Sequence, residues 1–105
     1  MRRILRNLRR AAFFVRHGFD RDDLYSLDTA LARWVLPRLI RFNKIRCGHP
    51  AYLTEDEWSA KLRKMIRAFE LISSPKYYCG LSAKEDSEIT SGLASFAAHY
   101  RHLWY

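Results

Sequence analysis

The chain has 105 residues and a formal net charge of +8, with 49% hydrophobic, 14% aromatic and 29% charged residues. That length fits one domain with one modest core, and that apolar share excludes a disordered chain. No uncharged apolar run approaches the roughly 20 residues of a transmembrane helix, so no membrane span is expected.

The first predicted element is a helix from Arg3 to His17, stopped by Gly18. Residues 1–16 hold six arginines and no acid. At about 100° per residue, Ile4, Leu8, Ala11, Ala12 and Val15 fall in one arc and Arg2, Arg3, Arg6, Arg9, Arg10 and Arg16 in another, with Phe13 among the arginines. A signal peptide also begins basic, but Arg6, Arg9 and Arg10 interrupt any apolar centre, so the segment reads as mature and intracellular. Its small and medium apolar residues suit packing onto a bundle better than lying on a membrane surface.

In "GFDRDDLY" Asp20 is placed to cap a short acidic turn, and Ser26 to cap the main helix. The predicted core face of that helix is Leu27, Leu31, Trp34, Val35, Phe42 and Ile45, with Arg33, Arg41 and Lys44 opposite and Gly48 and Pro50 ending it. Pro37 lies inside. It lacks the N–H that would bond the Arg33 carbonyl and crowds that oxygen, so a kink or restart is expected there. Asp28, on the third residue, is expected to cap or brace the start.

Thr54 and Glu57 have the spacing of a capping box. The helix they open presents Trp58, Leu62, Met65, Ile66, Phe69 and Ile72 on one face, with Lys61, Arg63, Lys64 and Arg67 outside, and stops before Pro75. After the aromatic connector "KYYCGL", Ser82 and Glu85 repeat the capping-box spacing ahead of a last helix faced by Ile89, Leu93, Phe96, Ala97, Tyr100 and Leu103. No sustained strand alternation or internal repeat competes with these elements. The fold class is all-α: a single domain, a small bundle of about four main helices, the central one kinked at Pro37.

Four scattered glycines form neither a dinucleotide fingerprint nor a phosphate loop, and no serine nucleophile elbow occurs. The expectation is a protein that is not an enzyme and needs no cofactor. Asp20, Asp22, Asp23 and Asp28 read as helix-start acids with arginine partners rather than as a cation site. Cys47 and Cys79 read as two buried thiols rather than a bridge. Cys47, His49, Cys79, His99 and His102 are the candidate metal ligands, a weak set because only His99 and His102 have tight helical spacing. The positive charge carries more. Arg2, Arg6, Arg9, Arg10, Phe13, Arg33, Arg41, Lys44, Lys61 and Lys64 are the candidate partner- or phosphate-binding residues, for nucleic acid or for a protein with an acidic surface.

Four stretches in order, "GFDRDDLYSLD", "LARWVLPRLIRF", "GHPAYLTEDEW" and "KLRKMIRAFELI", resemble a widespread family of small tailed-bacteriophage proteins. The family pattern runs W-S-L-D, I-L-P-R-L-x-x-F, G-x-P, T-x-E-E-W and L-x-x-M-I-x-A-F. The resemblance covers residues 18–72, with Tyr25 where the pattern has Trp. It brings no agreed activity with it. It implies a phage source, action in the cytoplasm of the infected bacterial host, and service as an accessory protein. By analogy with other small phage proteins, the expected role is to dock on a host or phage macromolecule, including inhibition of a host defence complex such as a CRISPR effector.

Overall fold

A computed structural model describes residues 1–104. Five α-helices account for most of it: α1 (Arg2–His17), α2 (Leu27–Ile45), α3 (Glu55–Ile72), α4 (Lys76–Cys79) and α5 (Ala83–His99). Short 3-10 helices cover Arg21–Ser26 and Tyr100–His102, and no strand occurs among the described residues. The all-α class expected from the sequence is the class found. The chain forms two compact units, Met1–Ala30 and Leu31 onward, and each is described by itself.

In the first unit α1 ends at Gly18, whose φ of 80° lies in the left-handed region open to glycine, and whose N–H donates to the Phe14 carbonyl. Asp20 then caps the 3-10 turn by accepting from the Asp22 N–H at 2.9 Å. Arg10 reaches the same carboxylate at 2.6 Å. The acids near residue 20 are thus engaged in capping and ion pairing, as read. Asp28 accepts from the Thr29 N–H at 2.9 Å, and the Thr29 hydroxyl donates to the Ser26 carbonyl at 3.1 Å. Within this unit α1 has no buried residue, and Ile4, Leu8 and Val15 are exposed. An amphipathic pattern specifies an apolar face but not what covers it.

The second unit holds the core. Trp58, Leu62 and Met65 of α3 are fully buried, joined by Phe69, Leu71 and Ile72 of the same helix, Ile89 of α5, and Ala32 and Leu39 of α2. Both predicted capping boxes are formed, Thr54 with Glu57 and Ser82 with Glu85. They start α3 and α5 at fixed residues and so fix which side chains face each other.

α3 and α5 approach most closely, because α5 meets α3 with a stripe of Gly92, Ser95 and His99 rather than with its larger apolar residues. A Cβ placed on Gly92 would lie well inside contact distance of the Lys64 carbonyl oxygen and the Ala68 Cβ. Ser95 Oγ donates to the Lys61 carbonyl at 3.3 Å across the same seam. This stripe rotates α5 relative to the predicted face: Leu93, Ala97 and Tyr100 are exposed, not buried.

α2 shows a parallel correction. It runs through Pro37 as one helix, so of the two outcomes expected there the restart does not occur, and the correction concerns its buried face. Pro37 and Arg33 are both exposed, so the Arg33 carbonyl that Pro37 cannot bond is not enclosed in the core, where an unpaired backbone group is costly. Ala32 and Leu39 are buried and Val35, Leu36 and Phe42 half-buried, whereas Leu27, Leu31, Trp34 and Ile45 of the predicted core face are exposed.

Candidate functional site

Three basic surfaces and one apolar groove result from this packing, and each is assembled within one unit. In the first unit Arg2, Arg6, Arg9 and Arg10 of α1, with Leu5, Arg21 and Asp22, line a cavity of about 550 Å³. Four candidate residues are therefore brought together here. Arg10 is partly neutralised, with Asp20 at 2.6 Å and Asp22 at 3.4 Å. The hydrogen bond and charge of Asp20 raise the Arg10 guanidinium above its usual value, while the Asp22 N–H, then Arg10, hold the Asp20 carboxyl below its own. Phe13, a candidate binding residue among the arginines, does not project freely. It is half-buried, 4.1 Å from the His17 ring and 5.5 Å edge-on to Phe19, because Gly18 turns the chain back over the end of α1.

In the second unit Arg33, Arg41 and Lys44 are exposed on α2 as predicted. Lys64 is exposed and lines a recess of about 480 Å³ with Arg63, Arg67 and Lys84, where Arg67 is held by Glu88 at 2.6 Å. Lys61 is half-buried and lies outside that recess. Arg46, just after the end of α2, has another task. Its side chain is only 8% exposed and binds Glu55 at 2.6 Å, Ser59 Oγ at 2.7 Å and the Gly48 carbonyl at 3.2 Å. It clamps the loop between α2 and α3 and adds little to any docking face.

Sequence reasoning misses the groove. Leu31, Trp34, Phe42, Leu93, Phe96 and Tyr100 line an open apolar cleft of about 620 Å³, floored by Leu39 and Phe69. Trp34 is 60% exposed and Tyr100 64%. The Arg38 guanidinium sits 3.9 Å from the centre of the Trp34 ring and donates to the Trp34 carbonyl at 2.8 Å, and Arg38 is the one charged residue in the lining. A neighbouring recess shares Arg38 and Phe42 and adds Arg41, so two cations border the cleft. The signal was present in α2, whose apolar residues span about two-thirds of the helix circumference, more than one core face uses.

The histidines and cysteines converge only in part. Cys47, His49 and His102 line a cavity of about 300 Å³ with Trp58 and Trp104, and Cys79 is not among them. Among the described residues no group of three potential ligands is placed to hold a metal ion. His99 is a core residue: its Nδ1 lies 2.9 Å from the Ser95 carbonyl and its ring packs against Tyr52 and Trp58. Both cysteines are free thiols, but exposed rather than buried as expected. No helix among the described residues is long and apolar enough to cross a membrane. No protein-family model, curated protein or solved structure matches the chain.

Proposed function

We propose that the chain is a small phage-encoded binding protein without catalytic activity, which docks on a protein partner bearing an acidic surface. The observation that carries this reading is the cleft around Trp34, Phe42, Phe96 and Tyr100. It is apolar, open, bordered by Arg38 and Arg41 and free of acids in its lining. Tryptophan, tyrosine and arginine supply most of the binding free energy at protein interfaces when a partner desolvates them. The chemistry that complements the cleft is an apolar segment flanked by carboxylates, such as one face of an acidic amphipathic helix. Arg33, Lys44 and Lys64 add positive potential that steers such a partner toward the unit. The phage source rests on the four sequence stretches quoted above, and a host complex as the partner follows from that source by class analogy.

The reading is tested by capture on the immobilised full chain from a nuclease-treated extract of phage-infected cells, beside Trp34→Ala. Wild type should retain a defined acidic protein in an approximately stoichiometric amount, and Trp34→Ala should lose it. Equal retention by both chains would remove the cleft from the account.

Nucleic acid is the second reading, favoured by the arginines gathered around the α1 cavity. Affinity for duplex DNA, single-stranded DNA and RNA over a salt series decides it: phosphate binding falls steeply with salt, and absence of binding at low salt ends this reading.

A further inference from the structure

We infer that α1 is an in-plane membrane-surface helix whose occupant is an anionic phospholipid bilayer, an inference beyond the docking role of the second unit. At about 100° per residue, Ala11, Ile4, Val15, Leu8, Ala12 and Leu5 follow one another around an apolar arc of about 120°, with no charged residue among them. Within its own unit the arc is not used for packing: Ile4 is 64%, Leu8 60% and Val15 85% exposed. All six arginines lie on the complementary arc, and the helix contains no acid.

A partner must therefore be apolar opposite one side of the helix and negative opposite the other, along a length of about 24 Å. A bilayer surface offers both, the acyl boundary below and anionic headgroups at the flanks, where arginine stems lie along the apolar layer and place their guanidinium groups among phosphates. Nucleic acid would engage the arginines and leave the apolar arc in water. A protein groove favours one or two large anchors in pockets, whereas this arc is spread evenly along the helix, has alanine at two positions and contains no aromatic ring. A yielding flat surface fits that distribution.

The test uses the full chain in co-sedimentation with vesicles of phosphatidylcholine alone and of phosphatidylcholine with about one-third phosphatidylglycerol, at low and physiological salt. Wild type should bind the anionic vesicles and not the neutral ones, with weaker binding at the higher salt. Leu8→Asp should reduce the partition coefficient about tenfold or more, and Arg6→Gln with Arg9→Gln about fivefold for each arginine removed. Because α1 buries nothing, the variants should keep the wild-type circular dichroism in solution, and a second apolar-arc variant, Val15→Asp, reports if Leu8→Asp does not. Anionic-vesicle binding that survives both apolar substitutions would overturn the in-plane helix and leave only charge attraction. Failure to bind anionic vesicles at low salt, with or without DNA binding in a parallel titration, would overturn the proposal. Either failure leaves the cleft reading standing, since Trp34→Ala and partner capture address that separately.

Discussion

Gly92→Ala is the sharpest test of how α3 and α5 meet. Alanine in place of glycine inside a helix ordinarily stabilises it by about 1 kcal/mol, so helix propensity alone predicts a gain. Here the added methyl would overlap the Lys64 carbonyl oxygen and the Ala68 Cβ. One of these is main chain in the middle of α3 and the other is a rigid stub, so neither yields by rotating a side chain. The two helices must move apart, which loosens the seam beside Met65 and weakens the Ser95 to Lys61 hydrogen bond. Overpacking of this kind costs about 3 kcal/mol at the upper end of its usual range, and with the propensity gain subtracted the net destabilisation is about 2 kcal/mol. For a chain of this size that corresponds to a fall in Tm of roughly 10 °C. Urea unfolding followed by circular dichroism and by Trp58 fluorescence measures it. A variant as stable as wild type, or more stable, would refute the close approach and with it the rotation of α5 that exposes Leu93 and Tyr100.

Four further outcomes follow from individual contacts. Thr54→Ala removes the hydroxyl that accepts the Glu57 N–H and should cost about 1 kcal/mol in the same urea assay. Arg46→Ala should cost about 1–2 kcal/mol through its hydrogen bonds to Ser59 and the 46–55 loop, whereas Arg41→Ala on the exposed face should change stability by less than about 0.5 kcal/mol. The Glu85 carboxyl, ordinarily near 4.5, is pushed down to about 2, first by the Ser82 N–H and then by Lys76. A carboxyl depressed in the folded state stabilises fully above 4.5 and ceases to do so as pH falls through about 2, so the urea midpoint should drop across that window and Glu85→Gln should flatten the drop. Trp34→Ala, at an exposed site, should leave the unfolding free energy within about 0.5 kcal/mol of wild type.

What was legible in the sequence was local. Asp20, Thr54 with Glu57, Ser82 with Glu85, and Gly18 announce helix ends because a cap is decided by a few neighbouring residues. The buried face of α3 was legible too, since its apolar residues occupy one clear stripe bounded by Lys and Arg. The faces of α2 and α5 were not. In α2 the apolar residues extend over so much of the helix that periodicity does not choose between Ala32 and Leu39, which are buried, and Leu31 and Trp34, which line the cleft. In α5 the contact is made by Gly92 and Ser95, which hydropathy counts as indifferent, and their small size decides the rotation. Arg46 shows the same limit for charge: its place in a basic run is visible, but its carboxylate partner nine positions on is found only in three dimensions.

The cleft as the docking surface is tested most directly by site-specific photo-cross-linking in phage-infected cells. One chain carries the photoreactive residue at Leu93, in the cleft, and another carries it at Lys64, in the separate basic recess. The account predicts a discrete protein adduct from position 93, abolished by Trp34→Ala, and little or none from position 64. An adduct from position 64 alone, or nucleic acid as the species joined at position 93, would contradict it.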